Sequence, residues 1–147
     1  MDFDRNSSSG YMTNWAARLF ARAIDRRLKP LGLSSAHMPV FFALARGREL
    51  SQRQLVEAAS VEQPTMASTL QRMDRDGLLS KRPSPEDRRS TLYRLSEKGL
   101  AMMDQVRAAG HEVNALALSG MDEAEQTAYL ALLSKAVGNL ERDEPDD

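Results

Sequence analysis

Cysteine is absent from the 147 residues. Its absence excludes disulfides, thiolate metal sites and thiol redox chemistry within the chain. Histidine is nearly as scarce: His37 and His111 stand far apart, without the H-x-x-x-H or H-x-x-E-H spacing of a zinc site. No metal and no cofactor are expected. No apolar run approaches the ~20 residues of a membrane span. The opening MDFDRNSSSG lacks the basic-then-apolar order of a signal peptide, so a cytoplasmic setting without a membrane partner is expected. Nucleophile elbow, phosphate loop and triad cues are all missing, which argues against an enzyme.

What is present is unevenly distributed charge. The net charge of −1 is an average. Residues 1–50 carry eight Lys or Arg against four Asp or Glu, and residues 71–98 carry eight against five. Residues 111–147 carry two against nine. An acidic C-terminal segment thus conceals a basic middle, and a local basic surface is what a polyanion senses.

Apolar spacing predicts a mainly helical chain with one hairpin. Residues 1–11 and 142–147 read as polar, flexible tails, the second strongly acidic. Helices are expected over Asn14–Lys29, from Ser34 or Ser35 through Ala45, and from Ser51 to about Ala59. Ser51 and Gln54 have capping-box spacing. A fourth helix begins at Pro64 and stops at Gly77, after which the period changes. Leu78–Arg82 and Thr91–Leu95 read as two strands joined by a turn of Pro, Ser, Asp and Arg. Long helices follow from about Ser96 and from Asp122, the second with Glu125 three residues after its cap. Four helices, a hairpin and two helices make a winged helix-turn-helix with a two-stranded wing, flanked by further helices.

The fourth helix and the hairpin carry the functional signal. Met66, Leu70, Met73 and Gly77 form an apolar or small stripe, leaving Thr65, Ser68, Thr69 and Arg72 on the expected outer face. Small hydroxyls permit close approach to phosphates and base edges, and an arginine supplies a charged fork. The hairpin brings Lys81, Arg82, Arg88, Arg89 and Arg94 together, an arginine-tipped ribbon suited to a minor groove. Asp87 is acidic where affinity alone favours a base, and is expected to shape the tip by bonding turn amides or a neighbouring arginine. The alternative is a winged-helix protein-interaction module without specific DNA binding, which the acidic tail and modest net charge would suit.

The stretch VEQPTMASTLQRMDRDGLLSKRPSPEDRRSTLYRLSEKG resembles the core of MarR-family transcriptional regulators. The likeness lies in the E-Q-P opening of the fourth helix, the G-L-L exit, the D-R-R wing and the following L-S-E-K-G. Upstream, IDRRLKPLGLSSAHMPV looks like the SlyA-type branch. The resemblance implies a homodimer, with residues 12–33 and 97–141 as a helical dimerisation region and residues 34–96 as the DNA-binding domain. Double-stranded DNA with a pseudo-palindromic operator is the implied partner. Gln63, Pro64, Thr65, Ser68, Thr69 and Arg72 match the recognition helix and Arg88 and Arg89 the wing; Lys81, Arg82 and Asp87 of the hairpin are further candidates for DNA contact. It also implies release by a small aromatic or anionic effector, with Arg18, Ser34, His37, Met38 and Phe42 lining its site. Two departures stand out. Ser68 replaces the arginine common in the SlyA type, and Met38 and Phe42 replace more polar or larger aromatic groups.

Overall fold

The computed structural model describes residues 4–146. The element order is α1 (Ser9–Leu28), α2 (Met38–Ala43), β1 (Leu50–Ser51), α3 (Gln52–Ala59), α4 (Gln63–Arg75), β2 (Leu79–Pro83), β3 (Thr91–Leu95), α5 (Glu97–Ala117) and α6 (Glu123–Glu141). The chain divides into two compact units, residues 1–113 and residues 114–147.

Local chemistry accounts for most boundaries. The Ser8 side chain accepts a bond from the Tyr11 N–H, so α1 starts at Ser9, five residues before the expected Asn14. The expected flexible tail therefore contributes residues 9–11 to a helix; its first three residues lie outside the described residues, as does Asp147 at the other end. Ser51 and Gln54 form a reciprocal capping box at the start of α3. Asp122 and Glu125 do the same for α6. Pro64 occupies the first turn of α4, where its missing N–H leaves no bond unmade. At the far end α4 stops at Arg75, and Gly77 takes φ 75°, a left-handed position that glycine adopts without a Cβ clash. Gly77 is exposed and lies beyond the helix, so it is not part of the inward stripe expected of it.

The two-stranded wing, β2 with β3, belongs to a sheet of three strands. β1 pairs antiparallel with β3 through Leu50–Tyr93 and Ser51–Leu92, giving the order β1-β3-β2. A two-residue strand has no readable period, so only its pairing reveals it. Register in the hairpin runs from Leu79–Leu95 at the base to Pro83–Thr91 at the tip.

The unit ending at Val113 has one hydrophobic core. Leu28 of α1, Phe41 and Leu44 around α2, Leu55 of α3, Met66 and Met73 of α4, and Val106 of α5 are all fully buried within it. Each such side chain contributes about 1.5–3 kcal/mol of apolar transfer. The C-terminal half of α1 and most of α5 are thus built into the winged-helix core. In the second unit, α6 has no buried residue, and Leu130, Leu132, Val137 and Leu140 are exposed, Leu140 by 69%.

Candidate nucleic-acid interface

The buried face of α4 is Met66, Thr69, Leu70 and Met73. Thr69 is only 2% exposed, which corrects its assignment to the outer face. Helix geometry explains the error. At 100° per residue Thr69 stands about 60° from Met66 and about 40° from Met73, at the edge of the apolar arc. The opposite side is Pro64, Ser68, Gln71 and Arg75, spaced i, i+4, i+7 and i+11 and all exposed. Thr65 and Arg72 flank this stripe and are also exposed, as is Gln63 at the start of the helix. Gln71 and Arg75 are therefore outer-face residues that the sequence reading missed. A helical wheel centred on Met66 finds them, at about 140° and 180° from it.

Two ion pairs anchor the wing, one to α4 and one to Glu49 just before β1. Lys81 Nζ lies 2.8 Å from Asp74 Oδ2 of α4. Arg82 forms a fork on Glu49, with Nη2 at 2.6 Å from Oε1 and Nε at 2.9 Å from Oε2. The hydrogen bond from Arg82 holds the Glu49 carboxyl below its usual range, and the bond to Asp74 raises the Lys81 ammonium above its own. These two cations, expected on DNA, are held within the protein and set where the wing leaves the domain. The pairing partners are far away in sequence or on another element, so the basic run alone did not reveal them.

The tip is shaped by side chain to backbone bonds. Ser84 N–H donates to the Ser90 carbonyl at 2.8 Å, and Ser90 N–H to the Asp87 carbonyl at 2.9 Å. Ser84 Oγ accepts from the amides of Glu86 and Asp87. Asp87 Oδ1 accepts from the Arg89 N–H at 3.0 Å, with Arg89 Nε at 3.5 Å. Arg88 and Arg89 are exposed, and the Arg89 side chain is 94% accessible. The turn therefore projects two guanidinium groups from a hydrogen-bonded loop.

Of the five residues expected to line an effector site, two form a local turn. Ser34 and His37 bond each other: Ser34 N–H donates to His37 Nδ1 at 3.0 Å, and Ser34 Oγ is 3.1 Å from the same nitrogen. His37 is 5% exposed, which removes it from an open lining. Met38 and Phe42 face Gly110 of α5, where an added Cβ would lie 3.1 Å from Met38 Cε and 3.7 Å from Phe42 Cζ. Phe42 remains 46% exposed. Arg18 is exposed on α1 and makes no hydrogen bond or ion pair among the described residues. No group of three or more His, Cys, Asp or Glu is arranged to hold a metal among the described residues. No described helix is long and apolar enough to cross a membrane.

Comparison with known proteins agrees with this geometry. Residues 31–90, from the turn before α2 to the wing tip, match the model of the MarR family. A structure described by the regulation of DNA binding of Bordetella bronchiseptica BpsR by 6-hydroxynicotinic acid superposes with a TM-score of 0.85. It is 22% identical over 93% of this chain and 98% of that one. A mutant Escherichia coli MarR complexed with operator DNA superposes at 0.79, with 21% identity over 86% and 91% of the two chains. A MarR-family regulator from Silicibacter pomeroyi superposes at 0.76, with 25% identity over 92% of each.

Proposed function

We propose that the chain is a MarR-family transcriptional regulator that binds duplex DNA as a homodimer and is released by a small aromatic or anionic ligand. The observation that carries this reading is the exposed stripe Pro64, Ser68, Gln71 and Arg75 lying on the same unit as an arginine-tipped wing. A helix enters a major groove when its outer face is short and polar, and a two-stranded ribbon with arginines suits a narrow minor groove. On this reading Gln63, Thr65, Ser68, Gln71, Arg72 and Arg75 face base edges and phosphates, while Arg88 and Arg89 enter or flank the minor groove. Asp87 holds their loop. Lys81 and Arg82 orient the wing.

Dimerisation is supported by α6, whose exposed Leu130, Leu132, Val137 and Leu140 leave apolar surface without a cover in its own unit. A two-fold dimer spaces two recognition helices by about one helical turn, roughly 34 Å, which demands a pseudo-palindromic operator. Ligand release draws support from the BpsR relative and its aromatic acid. Arg18, Met38 and Phe42 remain the residues proposed to meet such a ligand, with Ser34 and His37 behind them. The SlyA-like character of residues 24–40 belongs to the same proposal.

Selection of bound sequences from a random duplex pool tests the central claim. Enrichment of a pseudo-palindrome, together with a dimer mass by light scattering, is the expected result. No bound duplex at micromolar protein and low salt would instead point to a protein-interaction module. On the selected operator, Gln71→Ala is expected to weaken binding by about 5- to 100-fold, the loss of one base-reading contact. Thr69→Val leaves affinity unchanged, because that side chain faces the core. The reverse ranking in a titration would return the reading face to the Thr65–Thr69 side.

A further inference from the structure

We propose that the Ser34–His37 turn is a proton-sensitive joint that links α1 to the recognition helix, so that protonating His37 loosens α4 and weakens DNA binding. The proposal rests on the DNA-binding reading above and adds a regulatory input to it.

The geometry places two donors on a single lone pair. The amide and the hydroxyl of Ser34 both lie within 3.1 Å of Nδ1, so in the neutral ring Nδ1 is the acceptor and Nε2 carries the proton. This is a capping box in which histidine stands where glutamine or glutamate is usual. A second proton takes the lone pair. The Ser34 hydroxyl can turn and accept from the new N–H, but the Ser34 amide cannot, and two N–H groups then face each other at 3.0 Å.

Solvent offers no relief, because the ring is buried and Nε2 has no hydrogen-bond partner among the described residues. The charged groups around the joint do not rescue it either. Asp25 of α1 accepts from the Ser35 N–H at 2.7 Å, Arg72 of α4 repels a cation at His37, and Asp76 at the end of α4 attracts it. α2 contributes no charged residue. Burial is the largest influence and, outweighing an opposing backbone hydrogen bond with Ser34, holds the imidazole below its ordinary value near 6.5. The sign follows: the unfolded or loosened state holds the proton more tightly. Stability is full above about pH 6.5 and is lost as the pH falls through the lower native value.

The same turn is packed against α1 on one side and α4 on the other. Asp25 ties it to α1, so the turn braces the recognition helix from the part of α1 sunk in the core. Disrupting it frees the helix that reads DNA, without touching any DNA-facing side chain.

The decisive comparison uses the full-length protein and His37→Gln, which keeps the capping acceptor and removes the titration. From pH 7.5 to 5.5, wild-type operator affinity is expected to fall about tenfold further than that of His37→Gln. His111→Gln, which alters the exposed second histidine, is expected to follow the wild type. Equal pH dependence in wild type and His37→Gln would overturn the proposal. In the wild type, amide exchange of residues 63–75 is expected to rise with the same midpoint as the His37 imidazole NMR titration. Unchanged protection while His37 titrates would also overturn it, and this arm decides the matter if the variant does not fold. If no duplex binds at any pH, the DNA-binding reading fails, while the exchange arm still judges the joint.

Discussion

Gly99→Ala is expected to lower the thermal midpoint by about 10 °C or more, as measured by circular dichroism. Gly99 sits in the first turn of α5, and a Cβ there would collide with the Leu78 carbonyl oxygen. The obstacle is backbone, so no rotamer change relieves it. Three bonds hold α5 against that backbone. Ser96 N–H donates to the Leu78 carbonyl at 2.9 Å, Ser96 Oγ to the Gly77 carbonyl at 2.6 Å, and Lys98 Nζ to the Asp76 carbonyl at 2.8 Å. Moving the helix away would break them and open the core at Leu78 and Leu95, both buried. Overpacking of this kind costs about 3 kcal/mol, which in a chain of this size corresponds to the stated shift. A midpoint within a degree or two of the parent would mean that α5 can slide freely, and that the contact is not a constraint.

Replacing both wing arginines, Arg88→Ala with Arg89→Ala, is expected to weaken operator binding by about 100-fold at moderate salt. It should also flatten the plot of log affinity against log salt by about two. The tip is built from Ser84, Asp87 and Ser90, so its bonds survive loss of the two side chains except the 3.5 Å contact from Arg89. Stability should therefore change little, since both residues are exposed and Arg89 projects almost entirely into solvent. A reduced affinity with an unchanged salt slope would show that the arginines shape the wing rather than meet phosphates. Lys81 and Arg82 should behave differently from these two. Their charges are already paired with Asp74 and Glu49, so their removal disturbs wing orientation more than counterion release.

The difference between the two classes of cation could not be read from the run of basic residues. Arg82 and Glu49 are 33 positions apart, and nothing local in either segment requires the pairing. The tip arginines were legible because their geometry is local: Asp87 reaches an amide two residues on, and the turn closes over seven residues. The same distinction separates the caps from the glycine of L-S-E-K-G. Ser51 with Gln54, and Asp122 with Glu125, announce themselves by three-residue spacing. Gly99 is explained only by the carbonyl of Leu78, brought against it by the turn of the chain through the wing.

His37 and Thr69 follow this rule from the other direction. Their residue types suggested a ligand site and a DNA-facing position, yet both are buried, because the helix–helix packing around Leu70 and Met73 covers a wider arc than a four-residue stripe implies. The amino-acid sequence by itself determined the order of elements, the caps, the charge separation and the exposed arginine tip, since each depends on neighbours within a few residues. Tertiary structure alone decided which face of α4 is outward, which cations are free, where the third strand pairs and what closes around His37. Those outcomes depend on surfaces that meet only after the chain has folded.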